Sequence, residues 1–340
     1  MNIQLKFLLY SLFLLFLSTA LVSPSLGALG KCNPSDYKAL MNIKKSLNNP
    51  YHLASWVPNT DCCNWYVVEC DPKTNRINQL ALFQGNISGQ IPSSVGDLPY
   101  LETLVFRHLT NVTGSIPQSI TKLKHLKMLR LSWTNLSGPI PNFLNQLTNL
   151  TFLDLSFNQF SGSIPPNLSD LKNLGALHLD RNKLTGSIPE SFGTFSGSIP
   201  DLYLSHNQIS GPIPKSLGDV DFEVIDLSRN KLVGDASTLF RPNHTLTRSI
   251  DLSRNQLEFD LTKVQFPKSL SSLDISHNKI FGGIPENIMG LDLQQLNVSY
   301  NRLCGQIPNG GKLQSFDNTS FFHNRCLCGA PLVGCKQVNE

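Results

Sequence analysis

The sequence predicts an α/β solenoid, a right-handed superhelix of ten repeats with a parallel β-sheet on its concave side. The convex side is expected to carry 3-10 or short helical segments, and disulfide-bonded caps to close both ends. Three observations predict this fold. One string of residues recurs with a nearly constant period, the Gly, Pro and Asn fall in phase with it, and all eight cysteines lie outside it.

The repeat is clearest in Leu153-Asp-Leu-Ser-Phe-Asn158-Gln-Phe160-Ser-Gly162-Ser-Ile-Pro165. Matching strings begin at Leu80, Leu104, Leu129, Leu177, Leu202, Ile225, Ile250, Leu273 and Leu296, ten copies in all, and their nine steps span 216 residues with a mean of 24. A period of 20–29 residues with Leu-x-Leu-x-x-Asn-x-Leu marks leucine-rich repeats. In Leu-x-Leu, alternation turns both leucines inward and the residue between them outward on a short strand. The chain must then turn while its buried amides find partners. An inward Asn offers a donor and an acceptor for that task, so Asn158, Asn182, Asn207, Asn230, Asn255, Asn278 and Asn301 are expected to stack as a ladder. The first three copies lack it, with Gly85, an insertion around Leu109 to Asn111, and Thr134. After the ladder comes Gly-x-Ile-Pro, in which Gly relieves a turn, Ile is buried and Pro starts the convex segment. Gly234-Asp-Ala-Ser and Glu258-Phe-Asp-Leu break that tail, so the convex side should be irregular there. Strands about 4.8 Å apart over ten repeats give a sheet on the order of 45 Å long.

A stack of repeats exposes its core at both ends and needs caps. Cys32, Cys62, Cys63 and Cys70 lie near one end, and Cys304, Cys326, Cys328 and Cys335 near the other. An even count in a secreted chain implies disulfides, and two groups of four leave three pairings in each. The chain lacks Cys-x-x-Cys and finger-like His spacing, so no metal or cofactor is expected. In the first cap, Leu40, Ile43 and Leu47 share one helical face, with Ser35 as the expected N-cap.

The segment before the caps reads as an address. Lys6 is followed by an apolar run from Phe7 to Leu17 and then by small residues, the pattern of a secretory signal peptide. Cleavage is expected after Gly27, with Gly30 as the alternative. The run is short for a bilayer span, and Glu340 follows no apolar tail, so a secreted product is expected. The resulting organisation is 1–27 signal peptide, 28–75 N-terminal cap, 76–303 repeats (the last running to about 309) and 304–340 C-terminal cap. Net charge is +4, or +3 without Lys6, too small to suggest a nucleic-acid binder. Sequons at Asn86, Asn111, Asn135, Asn149, Asn167, Asn243 and Asn318 are glycosylation candidates, whereas Asn297 falls inside a strand and is discounted.

The outward positions form columns on the concave face. Between the strand leucines run Arg130, Asp154, His178, Tyr203, Asp226, Asp251 and Asp274. The next position outward is mostly Ser, interrupted by Arg107 and Asp180. The column after it reads Gln84, His108, Trp133, Phe157, Arg181, His206, Arg229, Arg254, His277, Tyr300. Exposed Trp, Tyr and Arg suit a protein interface. Individual charges such as Asp226 and Arg229 read as solvated ion pairs. Trp133 and Phe157 serve no packing need on an outward face and read as contacts. No Gly-x-Ser-x-Gly, phosphate loop or His-Glu-x-x-His is present, and the acids recur with the repeat instead of converging, so no catalysis is expected.

Cys32-Asn-Pro-Ser-Asp-Tyr-Lys-Ala-Leu, Ser55-Trp56, Thr60-Asp-Cys62-Cys63-Asn-Trp65, the ten repeats and Cys326-Leu-Cys328-Gly-Ala-Pro331 together resemble the polygalacturonase-inhibiting proteins, plant extracellular leucine-rich-repeat proteins. The resemblance covers essentially all of the chain after the leader. It implies the pairs Cys32–Cys62, Cys63–Cys70, Cys304–Cys326 and Cys328–Cys335. Val67 stands where several members carry a further Cys, which leaves the count even. It also implies a monomer whose concave face binds fungal endopolygalacturonases, with polygalacturonate as a second ligand for the same cations. The candidate contacts are then Phe83, Arg107, His108, Arg130, Trp133, Phe152, Phe157, His178, Asp180, Arg181, Tyr203, His206, Arg229, Arg254 and His277. Two alternatives carry other functions. A close relative of this family binds ice, although bulky Arg and His argue against a flat ice-matching face. A soluble receptor-like module would bind a peptide or glycan.

Overall fold

The computed structural model describes residues 32–335. The expected leader and both of its cleavage points lie outside the described residues. The concave sheet runs in strand order through Val68–Cys70, Ile77–Phe83, Thr103–Gly114, Met128–Pro139, Phe152–Asp154, Ala176–His178, Asp201–Tyr203, Val224–Asp226, Ser249–Asp251, Ser272–Asp274 and Gln295–Asn297. Only the first pairing is antiparallel. Beyond it the repeats stack in register, Leu129 beside Leu153, Leu153 beside Leu177, and so on to Leu296. These residues are buried, and with the convex Ile and Leu side chains they make one core along the whole solenoid.

The Asn ladder explains the strand lengths. Asn207 Nδ2 donates to the carbonyls of Leu179, Leu204 and Ser205, while its Oδ1 accepts the Leu184 N–H of the preceding coil at 2.9 Å. Each ladder residue repeats this arrangement, which takes up the backbone groups that would otherwise extend the strand. Coils with the Asn therefore have three-residue strands, whereas two coils without it run on for twelve residues, Thr103–Gly114 and Met128–Pro139. Thr134 bonds sideways to Asn158 Oδ1 and so joins the ladder from the last of the Asn-free coils. An eighth rung, Asn324, donates to Val298 O and Phe321 O and accepts Leu303 N–H. The polar ladder thus runs on into the C-terminal cap.

Gly162 sits at φ 78°, a region open to Gly without steric cost. The proline of Gly-x-Ile-Pro is extended and stands at the N-cap, one residue before the 3-10 turn it was expected to begin. Pro141 O accepts Leu144 N–H at 3.2 Å, for example. Five-residue 3-10 helices follow most of these prolines. Only Ser237–Leu239 and Leu261–Lys263 occupy the two coils where the tail is broken.

The cap helix spans Pro34–Ser46, and its N-cap is Asn33, not Ser35. Asn33 Oδ1 accepts both the Ser35 N–H at 3.0 Å and the Ser35 hydroxyl at 2.7 Å, and Pro34 occupies the first turn where no amide is needed. Asp36, 1% exposed, forms a two-pronged ion pair with Arg76 and accepts the Ile77 N–H, tying the helix to the first parallel strand. The cysteines are bonded as Cys32–Cys62, Cys63–Cys70, Cys304–Cys326 and Cys328–Cys335. Among the described residues no helix is long and apolar enough to cross a membrane.

Candidate functional site

Where each strand ends, its outward residue fixes the turn. Asp226, Asp251 and Asp274 each use Oδ1 to accept the N–H of the Ser two residues on, at 3.0, 2.9 and 2.9 Å. The third residue after that outward one then adopts a left-handed conformation in every coil. From Gln84 through His108, Trp133, Phe157, Arg181, His206, Arg229, Arg254, His277 and Tyr300 to His323, φ lies between 52 and 56°. Such a conformation costs a side-chain-bearing residue roughly 1–2 kcal/mol. It is held by a backbone bond to the next coil, as from Arg181 N–H to Ser205 O at 2.8 Å and Arg229 N–H to Ser253 O at 2.8 Å. The turn sends the following Asn inward and pushes the left-handed residue out to the rim of the concave face.

Rim side chains one coil apart meet each other in two runs, one over the early coils and one at the C-terminal end. His108 packs on Trp133 at 4.9 Å, Trp133 stacks on Phe157 at 3.7 Å, and the Arg181 guanidinium lies over Phe157 at 4.8 Å. A second row runs across the strands. Arg130 sits over Phe152 at 5.9 Å, Phe152 packs on His178, and His178 stacks on Tyr203 at 4.3 Å. Trp133 and Phe157 therefore do meet a packing need, each covering a face of the other. What they turn outward is ring edges, the electropositive part of an aromatic ring. Trp133 remains 39% exposed and Phe83 41%. Arg130 is pinned by Asp154, 2.8 Å away and buried, and Arg107 keeps a buried Nε with no hydrogen-bond partner.

From Asp180 to Asn297 the face is a polar groove of about 450 Å³. One wall carries Asp226, Asp251 and Asp274, the other Arg181, His206, Arg229, Arg254 and His277, and Asp180 lies between them in the serine column. The ion pairs expected between these walls do not form. Among the described residues, the pairs on this face are Arg130–Asp154 and a 4.0 Å approach of His178 to Asp180. The reason is geometric, because Asp226, Asp251 and Asp274 are tied back to Ser N–H groups while the left-handed turn carries the cations to the rim. Loss of water contact, reinforced by Asp154 and Asp226, pushes Asp180 up to about 6. Burial again, reinforced by Asp226 and Asp274, pushes Asp251 up to about 6. Burial lowers His178, His206 and His277, the last two further through adjacent arginines.

The expected contacts thus divide into an aromatic portion over the early coils and a charged groove over the later ones. Two further members, Tyr300 and His323, extend the rim by stacking in sequence on His277 at 4.2 Å each. His323 is hard to find because its coil has Thr319-Ser-Phe321 in place of Leu-x-Leu. The signal that could have found it is Phe321-Phe-His-Asn324, which lies 23 residues after Val298-Ser-Tyr-Asn301. Of the sequons, Asn86, Asn111, Asn135, Asn149, Asn243 and Asn318 are exposed, while Asn167 is half-buried and donates to Asn142 O. Asn297 bonds to Asp274 and Ser299 within the sheet.

Comparison with known proteins follows this geometry. Residues 33–71 match the family described as Leucine rich repeat N-terminal domain, and residues 269–291 and 292–312 match Leucine Rich Repeat. Residues 77–232 match the EGF-like domain-containing protein ComC LRR domain. A polygalacturonase inhibitor of Pyrus communis is 68% identical over 334 residues, covering 98% of this chain and 100% of the relative. One from Vitis vinifera is 67% identical over 330 residues, covering 97% and 98%. Among solved structures, a plant ice-binding protein superposes with a TM-score of 0.88 at 53% identity, covering 91% of this chain and all of that one.

Proposed function

This chain belongs to the polygalacturonase-inhibitor family of leucine-rich-repeat proteins, and we propose that it is a secreted, non-catalytic plant cell-wall protein. In this reading it binds fungal endopolygalacturonases through its concave face and so limits pectin breakdown. The observation that carries the reading is the unbroken outward row from His108 to Arg254, held rigid by the left-handed turns and free of ion pairs with the acidic wall. Unpaired guanidinium groups at fixed spacing suit carboxylates around a polysaccharide-cleaving cleft, and the Trp133–Phe157 stack supplies an apolar anchor. An open groove whose acids recur once per coil excludes water poorly and suits recognition better than catalysis. Cleavage of the leader and glycosylation at exposed sequons belong to the same proposal, as does a monomeric state.

The test is release of reducing ends from polygalacturonate by a panel of fungal endopolygalacturonases, with and without the protein. Inhibition of at least one enzyme, weakened by R229E/R254E and more so at low salt, is the expected result. Absence of both binding and inhibition across the panel refutes it. The ice-binding neighbour favours a second reading. Against it stand the bulky Arg and His of the rim, and an ice-recrystallisation assay separates the two.

A further inference from the structure

We propose that the groove between Asp180 and His277 takes up protons when an anionic surface docks, at Asp180 and Asp251, so that falling pH switches on its affinity for carboxylate-bearing partners. Only the identity of the natural partner rests on the inhibitor reading above.

Asp226 pairs with Asp251 and Asp251 with Asp274 on adjacent parallel strands, which places three carboxylates about 4.8 Å apart in a row. Each is fixed through Oδ1 by its Ser N–H and cannot swing away. Like charges at that spacing, without a paired cation, oppose full ionisation. Asp251 is flanked by Asp226 and Arg229 of the coil before, by Ser253 and Arg254 of its own coil, and by Asp274 and His277 of the coil after. Asp180 faces Asp154 from one side, His178 and Arg181 on its own coil, and Asp226, Tyr203 and His206 from the other. Burial, reinforced by the neighbouring carboxylates and only partly offset by Arg181 and the Ser253 hydrogen bonds, holds both carboxyls at about 6, far above the usual range.

The charge balance makes the consequence specific. Four carboxylates against Arg181, Arg229 and Arg254 leave the ionised groove one unit negative. Protonating Asp180 and Asp251 leaves it one unit positive, and His206 and His277 add further charge in acid. The sign of the groove therefore inverts across the range in which these two carboxyls titrate. A docked anion favours the positive form, and by linkage its binding takes up protons.

The test uses a fluorescent oligomer of cysteic acid, whose sulfonates keep their charge throughout, so any pH dependence belongs to the protein. At low ionic strength wild type should bind it roughly tenfold more tightly at about pH 5 than at about pH 7.5. The D180N/D251N variant should bind at the higher pH as tightly as wild type does at the lower, with only a small residual slope from histidine. Asn is accommodated at position 251, because Asn297 occupies the equivalent place two coils on and accepts the Ser299 N–H, and position 180 stands in a column otherwise filled mostly by Ser. An H206Q/H277Q variant should keep most of the wild-type slope. Carbon-detected NMR should place the Asp251 carboxyl midpoint near 6. A flat wild-type profile overturns the proposal, as does a full slope in D180N/D251N or its loss only in H206Q/H277Q. A failed endopolygalacturonase panel with a positive oligomer result overturns the inhibitor reading and leaves this one standing.

Discussion

Replacing Asn207 by Ala tests whether the ladder holds the coils together. Asn207 is 9% exposed, and its amide serves four backbone groups on two coils. Ala removes all of them at once and leaves a gap too enclosed for bulk water to repair each loss. The Leu184 N–H loses its acceptor, whereas the carbonyls of Leu179, Leu204 and Ser205 each lose one donor and keep another, from Asn182, Asn230 and the Arg181 N–H. A buried group left unsatisfied costs about 1–3 kcal/mol. One stranded amide and three weakened carbonyls therefore predict a loss of about 2–3 kcal/mol, a large share of the stability of a typical domain. Gln208 is the control, since it neighbours Asn207 but is exposed, and its Ala variant should change stability by less than about 0.5 kcal/mol. Urea unfolding gives the totals. Native-state hydrogen exchange localises the effect, with Leu184 N–H expected to lose protection before amides several coils away. A loss below about 1 kcal/mol, or equal losses for the two variants, would show that leucine packing alone joins the coils.

Three more outcomes follow from the structure. Asp251→Asn should stabilise the protein at neutral pH. A carboxyl raised to about 6 gives stability that is full below its unfolded value and lost as pH rises through 6, so the gain should appear above that pH and vanish near pH 4. Its ceiling is about 3 kcal/mol, reduced to about 1–2 by partial solvent access, and urea unfolding at the two pH values measures it. Asp36→Ala strands Arg76 and frees the Ile77 amide, so it should cost about 3–5 kcal/mol and expose the Trp56–Trp65 stack to fluorescence quenchers. Trp133→Ala should weaken binding of an inhibited endopolygalacturonase by roughly tenfold or more while leaving the melting temperature nearly unchanged, because the indole packs on the rim and not in the core.

Much of this molecule is legible from spacing alone. Leu153, Leu177 and Leu273 face inward because alternation within a strand demands it, and Asn207 follows because a buried turn needs a bifunctional side chain. The columns of the concave face are read from the same period. What spacing does not reveal is the conformation of the rim. Trp, Phe, Arg and His give no hint of a positive φ, since their local preference opposes it and only the hydrogen bond to the next coil imposes it. For the same reason the expected Asp226–Arg229 pairing fails, as two residues close in sequence are turned to different walls. Asn33 and Ser35 are equally good caps chemically, and Pro34, which suits the first helical position, decides for Asn33. Asn324 escaped notice because its coil keeps the turn while losing the leucines.

The left-handed rim also bears on how such a protein changes over generations. Coil-to-coil bonding sets the backbone there, and the side chain stands outside the core. Eleven positions are thereby uncoupled from the folding code, and nearly any residue can be tried at them for a similar, already tolerated strain. A substitution that alters what is recognised need not be rescued by a second one in the core. The solenoid behaves as a fixed typeface tray in which individual letters are exchanged while the frame stays locked.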